Sequence, residues 1–189
     1  MKRIAFDIDG TIINLQDSLT HYFKKMYDIT LPAEAFSRWS IEEATNIPYE
    51  QVLACVNVCI ADIYRQTIYP GARGFIVDCF KSTGKEVLFI TNRWDKLNTY
   101  KLLDRLFYDV NYGVIFVEGS KIDVLKKKKV DIYIEDRIEN AEEISNAGIF
   151  TILLERSWNQ FGSKGSDKLV RVKDWFKLGE IYKEMENKK

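Results

Sequence analysis

Two carboxylates close an apolar run in Arg3-Ile4-Ala5-Phe6-Asp7-Ile8-Asp9-Gly10-Thr11. The residues before Asp7 read as a strand buried on both faces. Gly10 permits a sharp turn just past the strand end. Asp7 and Asp9 therefore fall at the carboxyl end of a strand, where open α/β sheets place their ligand sites. Two buried like charges are costly unless a cation or a shared proton compensates. Asp-x-Asp-Gly is also an ordinary solvated turn, so the rest of the chain has to decide between the two readings.

Three later groups also fall at the ends of apolar runs. Thr91-Asn92-Arg93 follows Val87 to Ile90, Lys121 opens the helix after the next run, and Glu135-Asp136 follows Val130 to Ile134. A hydroxyl at a strand end, just before a helix, can hold a phosphate oxygen together with the backbone N–H groups there. A lysine in a first helical turn opposes the helix dipole, which suggests another duty. Taken singly, Thr-Asn is a common cap and Lys121 a surface lysine. Gathered at one sheet edge, they set Thr91 and Lys121 among four carboxylates: Asp7, Asp9, Glu135 and Asp136. Such a charge needs a cation. All-oxygen ligation by these four acids points to Mg²⁺. With the metal and Lys121 neutralising the acids, the site would attract a phosphate dianion. Asp7 is then the candidate nucleophile, forming an aspartyl-phosphate. Asp9 is the candidate general acid for the leaving group and base for the hydrolytic water.

Positioning these groups takes a parallel sheet. Apolar runs at 86–90, 113–117, 130–134 and 149–154 resemble the first, and amphipathic segments at roughly 72–83, 95–107, 120–128 and 138–147 separate them. This alternation implies a doubly wound sheet with right-handed crossovers. The tail adds a strand at 169–172 and a helix from the N-cap Asp174 to about 185. About sixty residues between Gly10 and Gly71 break the rhythm with no strand-like run. They read as helices at 15–27 and 48–66 with a shorter piece near 32–44, and Pro32 and Pro48 suit first-turn positions. In the longer helix, Val52, Leu53, Val56, Ile60, Ile63 and Tyr64 fall near one face. The expected architecture is α/β: a Rossmann-like doubly wound parallel sheet from residues 1–13 and 69–189. A small helical cap, 14–68, is inserted after the first strand, where it would cover the site.

Composition narrows the function classes. The 189 residues suit one domain with an inserted subdomain, and 46% hydrophobic content is enough for a core. Lys+Arg and Asp+Glu are both 28, so no positive excess favours polymeric nucleic acid or a membrane surface. No apolar run approaches the ~20 residues that span a bilayer. Acids at 7 and 9 interrupt the segment after Met1-Lys2-Arg3, so it does not read as a signal peptide. Cys55 and Cys59, four apart on an expected helix, read as free buried thiols. With one histidine, His21, a structural zinc site is not expected. A cytoplasmic protein is expected, and a homodimer is left open. The run Lys126 to Lys129 reads as a solvated helix end.

The ordered set resembles the haloacid dehalogenase superfamily of phosphatases. Asp7-Ile8-Asp9-Gly10-Thr11 resembles its first motif, Thr91 the second, Lys121 the third and Glu135-Asp136 the fourth. Pro70-Gly71-Ala72 and the placement of the cap resemble it too. Dehalogenase members lack the second acid of the first motif, so Asp9 implies phosphoryl transfer. Within the superfamily, the second half looks most like the 5′(3′)-deoxyribonucleotidases and their bacterial relatives. The stretches that carry this are Lys121 to Val124, Asp131 to Ala141, Ala147 to Leu154 and Arg156 to Asn159. Those enzymes often have Val where this chain has Thr11, and the cap has no stretch that matches residue by residue.

The resemblance implies Mg²⁺ and a small phosphomonoester substrate, with a nucleoside monophosphate as the first expectation. A sugar phosphate or another small metabolite is the rival substrate. A receiver-like signalling domain or a non-catalytic phospho-ligand-binding protein is the rival class. Expected substrate contacts are Asn92, Arg93 and Trp39. Arg93 could reach a second phosphate or sugar group, or cap the sheet edge. Tyr22, Phe23 and Phe36 join Trp39 as cap aromatics that would stack a base or pack the cap core. Trp158 and Asn159 lie in a Gly/Ser-rich loop, 155–168, that reads as either functional or connecting.

Overall fold

The computed structural model describes residues 2–160 and 166–187. Six parallel strands form the main sheet in the order β5-β4-β1-β6-β7-β8. They are β1 (Ile4–Phe6), β4 (Val87–Thr91), β5 (Tyr112–Phe116), β6 (Ile132–Glu135), β7 (Phe150–Leu154) and β8 (Leu169–Val172). The helices of the core are α4 (Ala72–Thr83), α5 (Lys96–Leu106), α6 (Ile122–Lys127), α7 (Ile138–Asn146) and α8 (Trp175–Asn187). Both faces of the sheet are covered, which is why its strands read as unbroken apolar runs. Ile4 and Phe6 point to one layer with Phe89, Ile134 and Trp175, while Ala5 points to the other with Leu88, Ile90 and Tyr133. Strand order reverses beside β1, and the carboxyl ends of β1, β4 and β6 meet there, where doubly wound sheets open a crevice.

The segment after β1 holds α1 (Gln16–Tyr27), a 3₁₀ turn at Ala33–Phe36, α2 (Ile41–Thr45) and α3 (Tyr49–Ala61). These helices share their own apolar cluster, built on Leu19, Phe23, Leu31, Val52, Cys55 and Cys59. Both cysteines are free and buried, as is Cys79.

Three expectations need correction. A two-stranded antiparallel ribbon, β2 (Ile13–Asn14) with β3 (Thr67–Ile68), carries the chain into and out of the helical segment. Two residues are too few to show a period, so the ribbon leaves no pattern in the sequence. The piece near 32–44 is a 3₁₀ turn followed by the short helix α2 rather than one helix. The long cap helix stops at Ala61, because the Asp62 carboxylate accepts from the Tyr64 N–H at 3.2 Å and starts a turn. Tyr64 is consequently exposed, as is Leu53, and Cys55 and Cys59 fill the buried face instead. Elsewhere the boundaries shift by a residue or two, and Asp174 caps the last helix through the Lys177 N–H at 2.8 Å.

Candidate active site

Asp7 follows β1 directly, its N–H bonded to the Ile134 carbonyl at 3.0 Å. That bond sets Asp7 level with the end of β6, where Glu135 and Asp136 leave the sheet. One oxygen from each of Asp7, Glu135 and Asp136 lies within 4.8 Å of the others. Lys121, just ahead of α6, reaches back to them. Its Nζ donates to Asp7 Oδ1 at 2.5 Å and to Glu135 Oε2 at 3.1 Å. All four side chains are buried.

One ammonium among three carboxylates leaves the group net negative. Burial pushes the Asp7 carboxyl up to about 7, against the pull of Lys121. Burial, with Glu135 and Asp7 beside it, holds Asp136 well above the carboxylate range. Burial would lower the Lys121 ammonium, but Asp7 and Glu135 outweigh it and hold the lysine charged. A further positive charge is what the cluster lacks. Its all-oxygen donors fit a hard divalent cation.

The acids are not equivalent. Glu135 accepts four hydrogen bonds: the Asp136 and Arg137 N–H groups on Oε1, and Lys121 and Asn140 on Oε2. These fill its lone-pair sites, so it suits holding Lys121 better than ligating an ion. Asp136 accepts from the Thr11 hydroxyl at 2.8 Å and the Trp158 indole at 3.1 Å, which fix its plane. Asp9, expected as a fourth ligand, lies outside the cluster. Arg93 takes its carboxylate by two bonds, Nε at 2.8 Å and Nη2 at 2.5 Å.

The two donors next to Thr91 are held by protein partners at the edge of the cleft. Asn92 spends its amide on the Val117 and Gly119 carbonyls, at 2.9 and 3.1 Å, tying the loops after β4 and β5. Arg93 is 3% exposed and grips Asp9, yet it lines the cleft over the site, as Asn92 does. Residue type and spacing give no hint of these protein partners, which sit beside the cleft both side chains line. Thr91 is buried at the strand end, and its oxygen accepts from the Arg93 N–H at 3.2 Å, which leaves the hydroxyl proton for a ligand.

The loop after β7 has a structural role. Arg156 donates to the Gly10 and Thr11 carbonyls at 2.6 and 3.1 Å and lies 3.8 Å over the Tyr69 ring. Asn159 donates to the Asp136 carbonyl at 2.6 Å. This loop buttresses the first and fourth motifs from behind; its residues 161–165 lie outside the described residues. Three polar side chains in four positions, Arg156, Ser157 and Asn159, were the available signal. Gly10 takes a left-handed φ of 74°, and a Cβ there would collide with the Asp136 carboxylate and the Trp158 ring. Gly10→Ala is expected to lower stability by roughly 1 kcal/mol or more and to lower any activity further. Thermal melts beside rate assays test this; a variant with wild-type melting and rate would contradict it.

A cleft of about 400 Å³ opens over these groups. Asp7, Asp9, Thr91, Asn92, Arg93, Lys121 and Arg137 are among the residues that line its core side. Leu15, Leu19, Ile41, Val52, Val56, Ile60 and Trp39 line its cap side. Of the cap aromatics, Phe23 is fully buried and Tyr22 donates its hydroxyl to Asp62 at 2.6 Å, so both belong to the cap core. Trp39 is 47% exposed. Its ring lies 4.9 Å from the Arg137 guanidinium carbon and edge-on to Trp158 at 6.3 Å. His21 packs against the Tyr22 ring, away from the cleft lining.

The fold has counterparts among solved structures. A solved structure from Streptococcus pneumoniae, the haloacid dehalogenase-like family hydrolase SP0104, superimposes with a TM-score of 0.60. It is 15% identical, and the match covers 96% of this chain and 98% of that one. The chain has the haloacid dehalogenase fold. The resemblance read from the motifs is borne out at that level. In sequence, Bacillus subtilis YqfW is 28% identical over 180 residues, 93% of this chain and 90% of its own. Nucleotidase CA_C3379 of Clostridium acetobutylicum is 24% identical over 180 residues, 91% of this chain and 88% of its own. No protein-family model matches the chain. Among the described residues, no helix is long and apolar enough to cross a membrane.

Proposed function

We propose that the protein is a Mg²⁺-dependent phosphomonoester hydrolase that forms an aspartyl-phosphate on Asp7 and acts on nucleoside monophosphates. The observation that carries this is the buried Asp7–Lys121–Glu135–Asp136 cluster at the end of β1, in the haloacid dehalogenase fold. The nucleotidase name of a relative aligned over most of its length supports the substrate class.

The residues divide the work. Lys121 and the Thr91 hydroxyl hold phosphate oxygens and spread their charge. An Asp7 oxygen attacks phosphorus as the bond to the ester oxygen breaks. Asp9 gives that oxygen its proton, then takes one from the water that attacks phosphorus and frees Asp7. Asp7 and Asp136 would hold Mg²⁺, with Glu135 behind them, and the ion would supply the positive charge the phosphate needs. The cap side favours a nucleoside over a sugar phosphate. Its wall is mostly aliphatic, which suits a flat base better than a ring of hydroxyls. The cleft volume suits a small molecule rather than a polymer.

A screen of nucleotides and sugar phosphates, run with Mg²⁺ and then with excess chelator, tests the reading. Turnover should fall to background in chelator and return with Mg²⁺. Full turnover of p-nitrophenyl phosphate in chelator would exclude the metal's role, and preference for sugar phosphates would exclude the nucleotide.

Trp39 gives a narrower check. Trp39→Ala should lower kcat/KM for a nucleoside monophosphate by the roughly 1–3 kcal/mol of a lost base stack. Turnover of p-nitrophenyl phosphate should change little. Equal losses on both substrates would mean that Trp39 serves cap closure and not the base.

A further inference from the structure

A line of buried hydrogen bonds joins the cap to Asp9. Arg93 grips both Asp9 oxygens through Nε and Nη2. The same Nη2 donates to Gln66 Oε1 at 2.8 Å. Gln66 is 2% exposed, and its Nε2 donates to the Cys59 and Ile60 carbonyls at 3.0 and 2.9 Å, the end of α3. Gln66 immediately precedes β3, where the chain returns from cap to core. The α3 helix lines the cleft through Val52, Val56 and Ile60.

Stability alone does not account for this arrangement. Arg93 Nη1 is buried without a hydrogen-bond partner. A buried guanidinium with an orphaned donor is costly, and a hydrophobic side chain would fill the space more cheaply. What Arg93 does provide is geometry. Two parallel N–H···O bonds fix a carboxylate in plane and rotation, where one bond leaves it free to turn. Asp9 needs that constraint, because its side chain is 28% exposed, lines the cleft and accepts from no other side chain among the described residues.

We propose that Arg93 and Gln66 are positioning residues for the acid/base step: Arg93 orients the Asp9 carboxylate, and Gln66 ties that orientation to the end of α3. The inference rests on the phosphatase reading, which gives Asp9 its role. Neither residue touches phosphate in this account, so binding should survive their loss while turnover does not.

The test is pre-steady-state release of p-nitrophenolate from p-nitrophenyl phosphate with Mg²⁺. This leaving group departs without a proton, so the first step needs no acid, but freeing Asp7 still needs the base. Asp9→Asn should show a burst of about one equivalent followed by turnover slowed about 10²–10⁴-fold. Arg93→Met should show the same burst, a slow phase lowered roughly 10²-fold or more, and a KM that falls rather than rises, because the phosphoenzyme accumulates. Arg93→Lys should not rescue it, because an ammonium cannot make the paired bonds. Gln66→Leu should show a weaker version of the same pattern. The double variant Asp9→Asn/Arg93→Met should be no slower than Asp9→Asn alone, as expected for groups that act as a unit. Melting curves confirm that each variant is folded. If Arg93→Met misfolds, Gln66→Leu carries the test alone. Additive losses, a raised KM without a slower second phase, or full recovery with Arg93→Lys would overturn the inference. A wild-type chain with no turnover would overturn the phosphatase reading, and this inference with it.

Discussion

Asp7→Asn is expected to yield a folded protein whose phosphatase activity is lower by about 10⁴-fold or more. An amide keeps the shape of the side chain but is not a competent nucleophile. Stability should hold, because the substitution removes one of three like charges from a buried cluster. Burial already pushes the Asp7 carboxyl up to about 7, so its charge is not a large source of native stability. Rates on p-nitrophenyl phosphate and melting curves, measured side by side, check both halves. A folded variant that retained a tenth of the activity would remove Asp7 from the chemistry.

Lys121→Met should cost stability as well as activity. The lysine is 4% exposed and is the cation paired with Asp7 and Glu135. Removing one partner of a buried pair leaves the other uncompensated, at about 3–5 kcal/mol. That is a large share of the ~5–15 kcal/mol that holds a domain folded. Met matches the length of the lost side chain, so packing changes little. Urea denaturation should show the loss. Added Mg²⁺ should return part of it, since an ion bound to the folded state stabilises by mass action. A control is Lys24→Met, whose partner Asp28 is 88% exposed; its midpoint should stay in place. Equal midpoints for the two variants would mean that the cluster is not electrostatically coupled.

The sheet was legible because its strands are buried on both faces. Val87 to Ile90 and Ile132 to Ile134 pack against helices on each side, so burial writes itself into the sequence as an unbroken apolar run. The chemistry at the strand ends was legible for the opposite reason, since charge at the end of such a run has no packing role. Asp7, Thr91, Lys121, Glu135 and Asp136 were found that way, and the structure brings them to one edge. Partnerships across the chain were not legible. Arg93 and Asp9 are 84 positions apart, and nothing local distinguishes an arginine that binds substrate from one that holds an acid. Gln66 and Arg156 act through backbone carbonyls, which leave no trace in residue type. The cap was legible as helical, but its boundaries turned on the side chain of Asp62 and on a ribbon too short to have a period. Trp39 could not be separated from Tyr22 and Phe23 by sequence, because core packing and base stacking ask for the same side chains.

In the proposed reaction, phosphate is transferred to Asp7. A crystal structure of the protein with Mg²⁺ and fluoroberyllate, which mimics a phosphoryl group on a carboxylate, tests it directly. Trifluoroberyllate is expected on an Asp7 oxygen, with Thr91 and Lys121 on its fluorines and the ion on Asp7 and Asp136. Attachment to Asp9 or Asp136, or an ion bound with Asp7 left bare, would contradict it.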